Sequence, residues 1–309
     1  MRLPLIDADE LTGLLPMPAA IDALERAFSG PALPGAPRRT HVEVPGGELL
    51  LMPAAGEPGV GVKLVTLNPS NPERGLPFVQ GAYVLFDPDT LSPEAVLDGT
   101  ALTNLRTAAV SGLATRHLAR PEASRLVVFG AGATANAHLD AMLAVRPFRT
   151  VRVVSRSDGP ARALAERARA AGLDAAVAGP EAVAEADVVC TCTTSERPVF
   201  DGALLQPGTH LNAIGAYRPD MRELDDEAVA RARVAVEARE AAMAEAGDLL
   251  IPLRSGRIGR DHIVADLGEV VRGATVRRGP EDVTVFKSVG IAPEDLIVAR
   301  AAVDARARA

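Results

Sequence analysis

Several things are scarce in this chain of 309 residues, and each scarcity closes a class of function. Tryptophan is absent and aromatics reach only 3%, a bias that goes with abundant alanine and arginine and carries no functional reading by itself. There is no basic surplus: 33 lysines and arginines stand against 40 acids, a net charge of −7 spread along the chain. A general nucleic-acid binder would need a basic face, so none is expected, although local basic pockets stay open. No apolar run approaches the roughly 18 residues of a membrane span, and no membrane association is expected. The opening MRLPLIDADELTGLLP has acids where a signal peptide would have its apolar centre, so no export is expected. Cysteine occurs twice, as Cys190 and Cys192 in VVCTCTT. Residues i and i+2 of a strand cannot easily bridge and a lone CxC is a weak metal site, so both read as small residues of a buried strand in a reducing cytoplasm. The motifs GxxxxGK[ST], GxSxG and HExxH are missing, which removes support for phosphoryl transfer and serine hydrolysis. His41, His117, His138, His210 and His262 show no ligand spacing, and no metal site is assigned.

What is present divides into two textures. With 48% apolar residues the chain can bury a sizeable core, and its length allows two domains. Up to about residue 119, helices flank turn-rich strands. PMPAAIDALERAF reads as a helix opened by Pro18, with Ile21, Leu24 and Phe28 at helical spacing. HVEVP, ELLLMP, GVGVKLVTL and GAYVLFD read as strands, and NPSNPERGLP between the last two as an ordered loop. The helix TALTNLRTAAVSGLATRHLA closes this part. After Pro121 six short apolar strands, RLVVFG, TVRVVSR, DVVCTCT, THLNAIG, RVAVEA and VTVFKSVG, are mostly separated by alanine-rich helical segments. That alternation means a parallel sheet covered on both faces. APEDLIVARAAVDARARA is a terminal helix, and no internal repeat or low-complexity linker is found.

The strand RLVVFG runs straight into GAGATANAHLDAML, and G-x-G-x-x-A falls on Gly130, Gly132 and Ala135. The first glycine allows the tight turn, and the second lets backbone approach a pyrophosphate at the helix N-terminus. The small third residue lets helix and strand pack closely. The strand before it and the helix after it turn a weak motif into an expected dinucleotide site, with Gly130, Ala131, Gly132, Ala133 and Thr134 as the phosphate loop. An NAD site usually carries an acid at the end of the next strand. Here stand Ser155, Arg156 and Ser157, which suit a 2′-phosphate that a carboxylate would repel. NADP(H) is therefore favoured over NAD(H).

Two cations interrupt apolar patterns. Arg106 lies on the helical stripe of Leu102, Ala109 and Leu113, and Lys63 shares a strand face with Val65 and Leu67. Each fits an internal ion pair or a snorkelling chain as well as a ligand site. Beside a cofactor, the two together suggest a pocket for a carboxylate.

The runs KLVTLNPSNPERGLPFVQGAYVLFD, LDGTALTNLRTAAVSGLA, VVFGAGATANAH, HIVADLGEVV and VTVFKSVGIAPED resemble the ornithine cyclodeaminase/mu-crystallin family nearly end to end. The resemblance implies an α/β subunit: a Rossmann-type doubly wound parallel sheet over 120–290, and a smaller α+β substrate and dimerisation domain from 1–119 plus 291–309. It implies that Arg39 and Arg106 hold a substrate carboxylate and that Lys63 sits next to the reacting carbon. Thr107 and Thr193 are expected to reach the cofactor, and Ser288 to lie near the closing edge of the site. Cyclodeaminases of the family carry an aspartate shortly after the glycine of NAIGAYRPDMRELD. The matching residue here is Tyr217, and Asp220 is displaced by three positions beyond a proline. What survives is hydride delivery to a carboxylate-bearing C=N carbon. The expected activity is NAD(P)H-dependent reduction of cyclic imino acids, Δ1-pyrroline-2-carboxylate and Δ1-piperideine-2-carboxylate, with Lys63 as proton donor. Tyr217 closes the pocket or simply packs. Alternatives kept open are an ornithine cyclodeaminase or an alanine dehydrogenase-like oxidoreductase and, in another class, a mu-crystallin-like protein that binds NADPH and a small ligand without turnover. The expected partners are a small imino or amino acid and a second copy of the chain.

Overall fold

The computed structural model describes residues 3–309. Its compact units divide at Arg106/Thr107 and again at Gly290/Ile291, so that the first unit comprises the N-terminal part to Arg106 together with Ile291–Ala309, and the second is Thr107–Gly290.

The first unit begins with strand β1 (Leu5–Ile6), then helices α1 (Ala8–Leu14) and α2 (Met17–Ser29). Asp7 caps α1 by accepting from the Glu10 amide, and Pro18 stands in the first turn of α2, where its missing N–H costs nothing. A meander follows: β2 (Thr40–Val44), β3 (Gly47–Gly56), β4 (Gly59–Leu67), β5 (Val79–Phe86) and β6 (Pro93–Asp98). The sheet order is β1-β6-β5-β4-β3-β2, antiparallel except for the β1–β6 pair. Helix α3 (Gly99–Leu118) then leads out of this unit.

The second unit is an eight-stranded, wholly parallel sheet. Its elements are β7 (Arg125–Phe129), α4 (Ala133–Val145), β8 (Thr150–Val154), α5 (Asp158–Ala170), β9 (Asp174–Val177), β10 (Val188–Thr191), β11 (His210–Ala213), α6 (Asp226–Arg231), β12 (Arg233–Val236), α7 (Arg239–Glu245), α8 (Gly247–Arg254), β13 (Ile263–Asp266), α9 (Leu267–Val271) and β14 (Thr284–Lys287). The order β13-β12-β14-β11-β10-β7-β8-β9 reverses direction between β7 and β10. In open α/β sheets ligands lie beyond the strand C-termini at such a switch point. The core packs Val127, Phe129, Val189, Leu211, Val234 and Val285, all nearly inaccessible to solvent. This is the Rossmann-type arrangement that the strand–helix alternation implied.

The chain returns to the first unit as α10 (Ala292–Arg308), which packs against β3, β4, β5 and α2. Its Leu296 and Val298 join Ile21, Leu24, Phe28, Leu85 and Leu97 in that unit's core.

The sequence places the first boundary at residue 119, whereas the units part inside α3. The second half of that helix is tied to the parallel-sheet unit: Asn212 donates to Thr115 Oγ1, and Arg146 donates to the carbonyls of Thr115, Arg116 and Ala119. Among the described residues no helix is long and apolar enough to cross a membrane, and no His/Cys/Asp/Glu cluster is suited to a metal ion.

Candidate active site

The glycine loop joins β7 to α4. Gly130 has φ of +100°, and a Cβ there would lie 2.5 Å from the Cys192 carbonyl oxygen, so only glycine fits. Gly132 is the N-cap of α4, with no side-chain cap bond and nothing within 4 Å of a hypothetical Cβ. The space beside Gly132 is thus open, while Ala135 is fully buried against the sheet. These features fit a dinucleotide pyrophosphate, whose charge such a helix start favours. Gly132 and Ala133 are exposed, and Ala131 and Thr134 half-buried.

Behind the loop, buried His138 ties α4 to α3. Its Nδ1 lies 2.7 Å from the Thr134 carbonyl, which can only accept, so Nδ1 carries the proton. Burial lowers its pKa to about 4, and the neutral ring leaves Nε2 to accept from Ser111 Oγ at 2.9 Å. Ser111 has one proton, so its 3.2 Å approach to the carbonyl of buried Thr107 is secondary. At the end of β8, Ser155 is half-buried, and Arg156 and Ser157 are exposed. The Ser157 amide donates to Ser155 Oγ at 3.2 Å.

On the strands across the switch point, Thr193 follows β10 and Tyr217 follows β11, both half-buried. Ser288 follows β14, is buried, and donates to Glu237 Oε1 at 2.9 Å. Asp220 is exposed and paired with Arg218 at 3.3 Å. Cys190 is buried in β10, whereas Cys192 lies just past the strand end and not within it; both are free thiols.

In the first unit, Lys63 and Arg106 are 1% and 5% exposed. The internal ion pair left open by the sequence is present. Lys63 Nζ lies 2.9 Å from Asp295 Oδ1 and 2.8 Å from Oδ2. Arg106 Nε reaches Asp295 Oδ1 at 3.1 Å, and its Nη1 reaches Glu294 Oε2 at 3.0 Å. Both acids are fully buried in the first turn of α10, where the helix dipole favours negative charge. Half-buried Arg39 completes the group. Burial, then Arg106, and lastly Arg39 lower the Lys63 pKa to about 8 against the opposing pull of Asp295. Lys63, Arg106, Glu294 and Asp295 balance in charge when all are ionised, and Arg39 adds its field to that of the cations.

The geometry therefore offers a dinucleotide loop and, in the other unit, a buried cation-rich group, and the family comparison decides the identity. The model of the ornithine cyclodeaminase/mu-crystallin family matches residues 6–308. The chain belongs to this family. Among its relatives, the Delta(1)-pyrroline-2-carboxylate reductase of Bacillus cereus is 41% identical over 81% of this chain and 79% of its own. The ketimine reductase mu-crystallin of Rattus norvegicus is 39% identical over 94% and 90%. The solved structure of Thermococcus litoralis Delta(1)-pyrroline-2-carboxylate reductase with NADH and L-proline superposes with a TM-score of 0.95 at 34% identity, covering 99% of this chain and 98% of that one.

Sequence reasoning singled out Lys63 and Arg106 and missed the buried acids beside them. Glu294 and Asp295 sit in APEDLIV, where acids of a first helical turn read as solvated; the apolar run directly after them was the available signal. Glu223, Asp248, Lys287 and Glu237 were missed as well, and all are at most 2% exposed.

Proposed function

We propose that the protein is an NADPH-dependent reductase of cyclic imino acids, converting Δ1-pyrroline-2-carboxylate and Δ1-piperideine-2-carboxylate to proline and pipecolate. When bound, the cofactor supplies the hydride, and the chain's side chains bind the acid and manage the proton. The observation that carries the reading is the buried Lys63–Arg106 group, two cations in a solvent-free interior with Arg39 close enough to lower the Lys63 pKa, which suits one substrate carboxylate. Arg39 and Arg106 hold that carboxylate. Lys63, its pKa brought to about 8, keeps its proton at neutral pH and gives it to the imine nitrogen while the carbon gains hydride. The C=N bond becomes CH–NH, and the neutral amine of Lys63 is reprotonated from water. Tyr217 lies where cyclodeaminases of the family carry their acid, which favours reduction over ammonia loss. The relatives named for pyrroline-2-carboxylate and ketimine reduction support the same substrate class.

On the cofactor side, Gly130 to Thr134 take the pyrophosphate, Thr107, Thr193 and Ser288 serve the nicotinamide half, and Ser155, Arg156 and Ser157 take a 2′-phosphate. The archaeal relative was solved with NADH, so the preference needs its own test. Arg156→Asp is expected to reverse it, and an unchanged preference for NADPH would remove Arg156 from the phosphate site. Free Cys190 and Cys192 suit a reducing, cytoplasmic setting. We also assign a homodimer: Leu49, Leu51, Val62, Leu64, Val84 and Val96 lie on one open face of the six-stranded sheet, and a second copy would cover them.

The test is loss of reduced-nicotinamide absorbance with each cyclic imine, generated enzymatically, in the presence of NADPH or NADH. Turnover of either ring is expected. Tight NADPH binding with no turnover of any imino acid would instead mark a binding protein.

A further inference from the structure

One buried network in the second unit centres on an acid that has no part in the chemistry above. Glu223, in the loop between β11 and α6, is fully buried and accepts four hydrogen bonds, two on each oxygen. Thr191 Oγ1 and the Gly215 amide donate to Oε2, each at 2.7 Å. The Thr193 amide and the Thr193 hydroxyl donate to Oε1, each also at 2.7 Å. All four donors come from the C-terminal end of β10 and from the segments that leave β10 and β11.

The carboxylate is itself held in place. Asp248 Oδ1, in the first turn of α8, accepts from the Glu223 amide at 2.6 Å and from the Leu224 amide at 2.8 Å. Asp248 Oδ2 pairs with Lys287 Nζ at 2.8 Å, and that ammonium also donates to the Ala216 carbonyl at 2.6 Å. The two exit segments are pressed together as well: a Cβ on Gly215 would stand 1.9 Å from the Thr193 carbonyl oxygen and 2.6 Å from Glu223 Oε1. Burial and Asp248 raise the Glu223 pKa, while Lys287 and the two threonines oppose that rise. The two amides among the four donors can only donate, one to each oxygen, and so favour the ionised form against the burial that opposes it.

The placement says what the network serves. The pyrophosphate loop and the Ser155–Ser157 segment follow β7 and β8, on the adenosine side of the switch point. Thr193 and Gly215 follow β10 and β11, on its other side, and among the described residues the Glu223 carboxylate accepts from that side alone. We infer that Glu223 is a positioning residue for the nicotinamide half of the cofactor site, fixing the Thr193 and Gly215 segments that receive that ring. The inference rests on the nicotinamide-cofactor reading above. Glutamine is nearly isosteric but has one acceptor oxygen, and its NH2 would face two of the four donors, so the segments must part.

The experiment compares binding of NADPH with that of 2′-phospho-ADP-ribose, which lacks the nicotinamide, for the full-length wild-type chain and Glu223→Gln. Calorimetry measures both ligands, and reduced-nicotinamide emission reports the environment of the ring. For the variant, NADPH affinity is expected to fall about tenfold or more and its emission to move toward that of free cofactor, with 2′-phospho-ADP-ribose held within about twofold. Glu223→Asp, which keeps the charge, is expected to recover part of the NADPH loss. Equal weakening of both ligands would mean a merely structural role and overturn the inference, as would no change in either. Wild-type protein that binds neither ligand sinks the cofactor reading itself, and this inference with it. Should Glu223→Gln fail to fold, Thr191→Val removes one donor with little change of shape. It is expected to give the same split at about threefold, and an unchanged ratio of the two affinities would overturn the inference.

Discussion

Two clusters of buried charge, one in each unit, are built in opposite ways. Around Lys63 the cations come from a strand and a helix, two carboxylates answer them from the first turn of α10, and Arg39 adds its field to that of the cations. Around Glu223 the carboxylates outnumber the single lysine, and their oxygens take backbone amides and hydroxyls instead. A group of several cations that includes a flexible ammonium can attract a further anion and release a proton. A carboxylate saturated by fixed donors attracts nothing more, but it holds each donor's segment in place. Burial alone therefore does not mark a reactive group; what separates the two clusters is whether the acids are met mainly by cationic side chains or by amides and hydroxyls.

The sharpest break between the clusters should come from removing each lysine in turn. Lys63→Met takes away the proton source, and turnover should fall by about 10²–10⁴-fold. Its effect on stability should be smaller, because Asp295 keeps Arg106 at 3.1 Å. Steady-state rates and thermal unfolding on the same preparations check both halves, and a variant retaining most of its turnover would end the assignment of Lys63 as donor. The pH dependence carries the same signature. Wild-type turnover should decline as pH rises through about 8, as the ammonium is lost. The stability contribution runs the other way. Lys63 has a folded pKa near 8 against an ordinary value of 10.5, so between them the unfolded chain holds a proton the folded chain has released. Stability from this residue therefore rises with pH across that window, and Lys63→Met should lack the rise.

Lys287→Met should reverse the pattern. The change leaves Asp248 and Glu223 as fully buried acids with their one nearby cation removed, at a cost of about 3–5 kcal/mol in urea unfolding. A loss below about 1 kcal/mol would show that the backbone donors alone suffice for these acids, and the contrast between the clusters would narrow.

How much of this could be seen in the sequence follows the same line between apolar pattern and charge. The six second-unit strands read from their apolar runs all form, whereas β9 (Asp174–Val177) and β13 (Ile263–Asp266) went unread. DAAV and IVAD are four residues each, with alanine where a β-branched residue would have given a signal. In the first unit β6 (Pro93–Asp98) opens on a proline, and β1 (Leu5–Ile6) has only two residues; neither yields a readable period. Lys63 and Arg106 were legible because each interrupts an apolar stripe. Glu223 was not, because it lies in RELDDE, where one buried acid looks like its solvated neighbours. Nor could any local pattern bring Asp295 to Lys63 across 232 positions of chain; that pairing exists only once α10 packs on β4.

The smallest expected effect isolates charge from polarity at one place. Tyr83 pairs with Lys63 across β5 and β4, is fully buried, and turns its hydroxyl over Gly61, where a Cβ would come within 2.1 Å of the oxygen. The hydroxyl has no hydrogen-bond partner among the described residues, and burial holds its pKa far above the usual phenol range. An unpartnered buried hydroxyl contributes little to stability, since removing it also removes a desolvation penalty. Tyr83→Phe should thus leave stability unchanged or raise it by up to about 1 kcal/mol, with kcat and KM for the imine unaltered. If thermal unfolding instead showed a loss comparable to that of Lys287→Met, or if turnover fell with it, the phenol would have to be joined to the Lys63 cluster. The electrostatics of that cluster would then include a neutral donor beside its five charged groups.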